Sequence, residues 1–229
     1  MTGTARRPRR PRASHVERAY TSLKAGIVDG RYTPGTPLSE PALAAEHGMS
    51  RTPIREGLAR LWQEGYLERI VGHGYFVARV SLQCVHDTFE VRRLLEAAAA
   101  ARAAEVATDA DVAHIQALSR MPAGGPHEQA QAANVRFHLA IAACARNRLA
   151  AELIERCLVQ VDRFLALGVD FGPFEAQAED AHVAIAAAIA RRDPAAARDA
   201  MEDHLDCGSR LMKDALMAGP LAPAVVSVR

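Results

Sequence analysis

Apolar residues recur every three or four positions along most of the 229-residue chain, a pattern that predicts α-helices. The first of these periods begins after Ser14, a capping residue, and ends at Asp29-Gly30. Two shorter helices follow, one opening at Ser39 and one at Ser50, with His47-Gly48 between them. The chain therefore starts with three helices, and the last two form a close pair.

The pattern changes after the third helix. Residues 66–71 and 75–80 have strand character and are joined by Gly72-His73-Gly74, which predicts a hairpin. A helix, a helix pair and a hairpin in this order are the outline of a winged helix-turn-helix. In that fold the second helix of the pair enters the major groove of DNA. We predict such a domain over residues 14–79.

From residue 81 onward only helical periods remain. Six helices are predicted, over residues 82–106, 109–120, 127–145, 148–168, 174–191 and 194–217. The fold class is therefore mainly α: a winged helix-turn-helix followed by an all-α bundle of six to seven helices over residues 82–217. Residues 1–13, rich in Arg and Pro, predict a disordered basic arm, and residues 218–229 predict a flexible tail.

Charge is distributed unevenly although the net charge is only +1. Residues 1–12 hold five arginines and no acid, whereas residues 80–229 hold fifteen basic and twenty acidic residues. A basic front end on an acidic body indicates a polyanion partner at one end only. The arm could add salt-dependent contacts to phosphates or to the minor groove, and a solubilising tail is the alternative.

Composition excludes several classes of protein. The longest apolar stretches are interrupted by charge and fall short of the roughly 18 residues of a membrane span, so we predict no membrane partner. No apolar segment follows the basic N-terminus as it would in a secretory signal, which favours a cytoplasmic location. The cysteines form no CxxC pair, so neither a disulfide framework nor a zinc knuckle is supported. They are Cys84, Cys144, Cys157 and Cys207.

The start of the predicted recognition helix carries side chains suited to DNA. Ser50, Arg51 and Thr52 offer two hydroxyls and a guanidinium at a helix N-terminus, where backbone N–H groups also favour phosphate. Arg55 follows Arg51 by four residues and shares its face, from which a guanidinium can take the edge of a guanine. The alternative is a solvated helix face on which Arg55 pairs with Glu56 or Asp29.

Three histidines and one asparagine stand out in the predicted bundle. Asn134 and His138 lie one turn apart on one helix face, and His182 and His204 lie on two further helices. A single histidine on an apolar face is usually a core residue. Three histidines on different helices can instead converge as ligands for zinc or a similar ion. From spacing alone both interpretations stay open.

Two motifs in the first domain form a long, ordered pattern. Residues 34–44 are PGTPLSEPALA and residues 50–56 are SRTPIRE. This pattern resembles the DNA-binding module of the GntR family of bacterial transcription regulators. Gly57 stands where the family usually has Ala, which predicts a locally softer recognition helix. The resemblance implies that operator DNA is contacted by Ser50, Arg51, Thr52, Arg55 and the wing-tip pair His73-Gly74.

The second half carries further motifs: Asn134-x-x-Phe137-His138, His182-x-x-Ile185, Met201-x-x-His204 and Arg92-x-x-Leu95-Glu96. They resemble the C-terminal ligand-binding (FCD-type) domain of the FadR subfamily, in its metal-containing branch. The resemblance implies a divalent metal held by Asn134, His138, His182 and His204. It also implies a small carboxylate effector at the open coordination positions, with Arg92 or Arg93 as a second contact. Three imidazoles and an amide suit zinc or nickel better than magnesium, although an amide oxygen is a weaker ligand than a carboxylate.

Together the resemblances imply a transcription repressor that is not an enzyme and that an effector releases from its operator. A homodimer on a short pseudo-palindromic site follows from the resemblance and from the symmetry of half-sites. One alternative is a regulator that lacks the metal or senses the metal itself. Another is a metal-dependent hydrolase joined to a DNA anchor, but the sequence has no HExxH and no Ser or Cys nucleophile motif.

Overall fold

A computed structural model of the chain describes residues 14–79, 81–120, 127–165 and 172–218. The chain divides into two compact units, one ending at Ala78 and the other beginning at Arg79. The predicted arm over residues 1–13 lies outside the described residues, and so does the predicted tail except for Ala218, which is the last residue of a helix.

The N-terminal unit combines helices with a small sheet. Its elements are α1 (His15–Val28), β1 (Pro37–Leu38), α2 (Glu40–Glu46), α3 (Arg51–Gln63), β2 (Leu67–Ile70) and β3 (Gly74–Val77). The strand order is β1-β3-β2, and both pairs are antiparallel. The predicted winged helix-turn-helix is confirmed, and β1 adds a third strand, two residues long, to the expected hairpin.

The core of this unit lies where α1 crosses α3. Leu23, Ile54, Leu58 and Leu61 have no exposed surface, and together they bury the apolar stripe that the helical period predicted. Gly57 stands at the crossing, where an added Cβ would lie 3.2 Å from the backbone nitrogen of Tyr20. Close approach of the two helices therefore gives Gly57 a packing reason.

The C-terminal unit is entirely helical within the part of the chain that the structure describes. Its helices are α4 (Leu82–Val106), α5 (Asp109–Leu118), α6 (His127–Cys144), α7 (Arg148–Leu165), α8 (Gly172–Ala190) and α9 (Pro194–Ala218). The mainly α fold class is therefore confirmed. None of the described helices is both long enough and apolar enough to cross a membrane.

Helix α4 is the centre of this bundle. It packs most extensively along α9 and also contacts α6, α7 and α8. Its second half is surrounded by other helices, and small side chains there allow the neighbouring backbones to approach closely. The buried alanines are Ala97, Ala99, Ala100, Ala101, Ala103 and Ala104.

Two arginines fix the start of α5 from the ends of other helices. Arg146 after α6 and Arg192 after α8 have φ of 60° and 57°, the left-handed conformation in which helices commonly end. The guanidinium of Arg192 donates to the carbonyl of Ala107 and, at 3.1 Å, to the carboxylate of Asp109. Arg146 lies 3.4 Å from Asp111, which forms a capping box for α5. These contacts explain why the turns hold arginine rather than glycine.

Candidate functional site

The residues that begin α3, Ser50 to Thr52, are exposed, and their polar groups make few contacts with the rest of the unit. Ser50 is the N-cap residue with an extended backbone, but its hydroxyl makes no capping hydrogen bond. Arg51 and Thr52 are exposed, and Arg51 has no ion-pair partner among the residues that the structure describes. Two hydroxyls and a guanidinium are therefore free to meet an anionic ligand at the positive end of a helix.

Arg55 lies on the same exposed face but has a partner. Its Nε donates to both carboxylate oxygens of Glu40, at 3.1 and 3.0 Å, and its Nη2 donates to one of them at 2.9 Å. The carboxylate is the first residue of α2 rather than the neighbouring Glu56, so the pair links the two helices of the helix-turn-helix. Because Arg55 is exposed, the pair is weakly stabilising and can be exchanged for another anion.

The hairpin tip projects backbone and imidazole groups. Gly72 and Gly74 adopt φ of +80° and +95°, which favours glycine, and the space beside each Cα is open. The N–H of His73 donates to the carbonyl of Ile70 at 3.0 Å, which closes the turn. The His73 side chain is exposed. This geometry allows close approach of the tip to a sugar–phosphate strand.

Three histidines converge in the core of the C-terminal unit. His138 on α6, His182 on α8 and His204 on α9 are all buried, and each offers a ring nitrogen within 4.8 Å of the others. The Nε2 atoms of His138 and His204 are 3.3 Å apart. The structure thus brings together three of the four residues that the metal-binding motif named.

Burial keeps the three imidazoles neutral. It lowers the pKa of His182 to about 2 and lowers the pKa of His204 well below its usual value. Burial also lowers the pKa of His138, although the carboxylate of Glu96 opposes this effect. A neutral imidazole carries a lone pair on one nitrogen, which is the form that binds a metal ion. All three rings are therefore suited to act as ligands at neutral pH.

A buried carboxylate orients one of these rings. Glu96 lies on α4, and its Oε2 is 2.5 Å from Nδ1 of His138. Burial opposes ionisation of Glu96, but the charge of Arg92 and the hydrogen bond from His138 outweigh it and hold the pKa of Glu96 at about 2. Because the carboxylate is ionised, Nδ1 of His138 carries the proton and Nε2 presents its lone pair to the cluster. From the sequence alone, Glu96 stands out only as part of the Arg92-x-x-Leu95-Glu96 motif.

The two arginines predicted to contact the effector differ in burial. Arg92 is buried, and its Nε donates to Glu96 at 2.6 Å. Arg93 points to the exposed side of α4, where it lies 3.4 Å from Glu202 and lines a groove of about 570 Å³ between α4 and α9. Arg92 therefore contacts Glu96, which in turn contacts His138, whereas Arg93 lies on the exposed side of α4.

Several buried polar atoms of the histidines and of α6 lack a hydrogen-bond partner within the described residues. Among them are Oδ1 of Asn134 and both ring nitrogens of His182; Nδ1 of His138 has no partner with good hydrogen-bond geometry, but it lies 2.5 Å from the carboxylate of Glu96. Asn134 is buried one turn before His138 on α6. An orphaned buried polar atom is unfavourable by roughly 1–3 kcal/mol, so these atoms are available to hold a bound ion or molecule.

The histidine spacing also fits a shared ion. Two nitrogens bound to one tetrahedral ion at normal distances lie about 3.4 Å apart, close to the separation of the His138 and His204 nitrogens. The residues present therefore fit a divalent transition-metal ion.

A small pocket reaches the cluster from the surface. It has a volume of about 250 Å³, lies between α8 and α9, and includes His204 in its wall. Most of its other lining side chains are small, among them Ala181, Ala184, Cys207 and Gly208. His204 is therefore the histidine of the cluster that a small molecule in this pocket would contact.

Comparison with known proteins links these features to a class of regulators. A family model described as bacterial regulatory proteins, gntR family, matches residues 15–77, and one described as FCD domain matches residues 87–206. The chain is 28% identical over 193 residues to the HTH-type transcriptional repressor RspR of Escherichia coli, covering 82% of this chain and 85% of that protein. It is 29% identical over 206 residues to the Exu regulon transcriptional regulator of Escherichia coli, covering 80% and 79%. These matches are to transcription regulators and not to enzymes.

Solved structures support the fold. The Escherichia coli McbR/YncC structure superposes with a TM-score of 0.65 at 24% identity, covering 89% of this chain and 99% of that chain. A putative GntR regulator from Rhodococcus sp. RHA1 gives the same TM-score at 21% identity and covers 89% and 99%.

Replacing Glu96 by glutamine should destabilise the C-terminal unit by about 3–5 kcal/mol, because the Arg92 guanidinium would stay buried without a counter-charge. Urea unfolding followed by far-UV circular dichroism measures this change. The matched control is Glu105→Gln on the same helix, whose exposed pair with Arg102 should contribute less than about 1 kcal/mol. Equal effects of the two changes would contradict the structural role given to Glu96.

Proposed function

Because the chain belongs to the GntR family of bacterial regulatory proteins and carries an FCD domain, we propose that it is a ligand-responsive transcription repressor. It acts in the cytoplasm as a homodimer, and each protomer reads one half of a pseudo-palindromic operator. The unclaimed polar groups at the start of α3 are the observation that carries this function. The description of RspR as a repressor supports repression over activation.

We assign DNA contacts to helix α3 and to the hairpin of β2 and β3. In the major groove, Arg51 is the first contact because its guanidinium has no competing carboxylate among the described residues. The ion pair with Glu40 orients Arg55, which exchanges this carboxylate for a group of the DNA. At the wing, the tip approaches the neighbouring strand. The full set of proposed contacts is Ser50, Arg51, Thr52, Arg55, His73 and Gly74.

Arg51→Ala should weaken binding to operator DNA by roughly 10- to 100-fold, because a bidentate contact to a base edge is lost. The probe is a duplex that the full chain selects from a random-sequence pool, and fluorescence anisotropy measures the dissociation constant. Arg102→Ala is the control, since it removes the same charge from an exposed position in the C-terminal unit. Full affinity of the Arg51→Ala variant would rule out the proposed contact.

We further propose that the C-terminal unit holds one divalent ion of the zinc or nickel class. Its ligands are His138, His182, His204 and the amide oxygen of Asn134. Three neutral rings with converging nitrogens and the unpartnered oxygen of Asn134 support this set. Glu96 fixes the tautomer of His138, and Arg92 balances the charge of Glu96. When bound, the ion would supply a Lewis-acidic centre for an anionic ligand.

Protein purified without chelator or a metal column should contain close to one such ion per chain, as measured by elemental analysis. The double variant His182→Ala/His204→Ala should lose the ion because half of the proposed donors are gone. Asn134→Asp should keep it and bind it more tightly, since a carboxylate adds charge to a neutral donor set.

Two control measurements do not depend on the ion: helical circular dichroism and basal DNA binding. Both variants should retain helical circular dichroism and basal binding to the selected duplex. A folded double variant that still carries stoichiometric metal would show that the ligand set is wrong.

The electrostatics of the site favour a small organic acid as effector. Burial keeps the histidines neutral, Asn134 has no charge, and Arg92 balances Glu96. A divalent ion held by these donors would keep most of its positive charge, which a carboxylate would offset. The pocket at His204 has room for a small molecule only. We propose that the effector binds there and favours the DNA-free state.

Metal-loaded protein should release the selected duplex when an effective acid is added, with a loss of affinity of roughly 5- to 150-fold. The probes are acetate, malonate and citrate, and chelator-treated protein is the control. Release of DNA by an acid after removal of the ion would point to a metal-free allosteric domain. Release by the ion alone would point to a metal sensor.

A further inference from the structure

An arginine on the wing hairpin lies between two aromatic rings. Arg69 on β2 is paired directly across the sheet with Tyr75 on β3, and its guanidinium carbon lies 5.9 Å from the centre of the tyrosine ring. Trp62 near the end of α3 contacts it from the other element, with a distance of 5.8 Å to the centre of the tryptophan ring. Both distances are within the range of a cation–π interaction. We call Trp62, Arg69 and Tyr75 the wing cluster.

The guanidinium in this cluster has unused hydrogen-bond donors. Arg69 is exposed and makes no hydrogen bond or ion pair with any residue that the structure describes. Other arginines of the unit are paired with carboxylates: Arg31 with Glu46, Arg55 with Glu40, and Arg60 with Glu17 and Glu64. Arg69 is therefore oriented by rings that do not use its N–H groups, which leaves a planar set of donors facing solvent.

The position of the wing cluster indicates what those donors meet. A helix in the major groove and a hairpin tip at the adjacent minor groove lie on either side of one sugar–phosphate strand. Arg69 stands on the face of the hairpin that packs against α3, two residues before the exposed Val71 at the tip. The wing cluster thus joins α3 to the hairpin, and a strand that passes between the two elements would lie next to it.

We propose that Arg69 binds a backbone phosphate of this strand and that Trp62 and Tyr75 are positioning residues for it. The inference rests on the proposed DNA-binding function. A guanidinium matches two phosphate oxygens with parallel hydrogen bonds, and such a contact adds affinity without reading sequence. The two rings restrict the arginine before DNA arrives, so less side-chain entropy is lost on binding.

The salt dependence of DNA binding tests this contact. Dissociation constants are measured over a range of salt concentrations with the selected duplex and with a shuffled duplex of the same composition. For Arg69→Gln we expect about tenfold weaker binding to both duplexes and a slope of log affinity against log salt that is smaller by about one. Arg69→Lys should keep the slope and lose part of the affinity, because the charge remains but the planar donor set is gone.

Arg31→Gln is the matched control. Its guanidinium also lies over a tyrosine ring, at 5.6 Å from the centre of Tyr32, but the carboxylate of Glu46 occupies it. This variant should keep the wild-type slope. An unchanged slope for Arg69→Gln, or an equal loss for Arg31→Gln, would overturn the proposal. Absence of binding by the wild-type chain would instead overturn the proposed DNA-binding function.

Discussion

The buried connection from Arg92 through Glu96 to His138 is the constraint around which the C-terminal unit is organised, because it places charge in the centre of an apolar bundle. Removing two charges from water is unfavourable by several kcal/mol per ion, and only close pairing offsets that penalty. The pair satisfies this requirement and also fixes the proton of His138 on Nδ1. Three neutral rings can then share one small volume without repulsion between like charges.

The same chemistry has a different consequence at the surface. Arg55 and Glu40 pair with comparable geometry, but the arginine is in contact with water, so another anion can replace the carboxylate with little change in free energy. Arg92 cannot exchange its partner in this way, because Glu96 would be left as an unpaired buried charge. An arginine of the first kind is suited to a binding surface. One of the second kind is suited to orienting a neighbouring side chain, as Arg92 orients Glu96.

Sequence could predict what depends on local periodicity and not what depends on distant partners. The helical periods, the hairpin with its Gly72-His73-Gly74 tip and the mainly α fold class follow from residue spacing, and the histidines of the cluster follow from motifs. The pairing of Arg55 with Glu40 joins residues on separate helices, and β1 is too short for an alternating pattern. The sequence predicts Arg92 and Arg93 equally as contacts to the effector. The two side chains point in different directions from the helix, and the sequence does not show which direction leads to the bundle core.

Helix α4 connects these observations along the chain. It begins three residues after Arg79, where Ser81 caps its first turn, and it continues without interruption through Glu96. Glu96 is fourteen residues beyond Leu82, a distance of about 21 Å along one rigid element. A ligand changes DNA affinity only if it binds two conformations of the protein with different strength. His138 contacts Glu96, and Glu96 belongs to the helix that follows the N-terminal unit in the chain, so a ligand that contacts His138 would meet a residue held by α4.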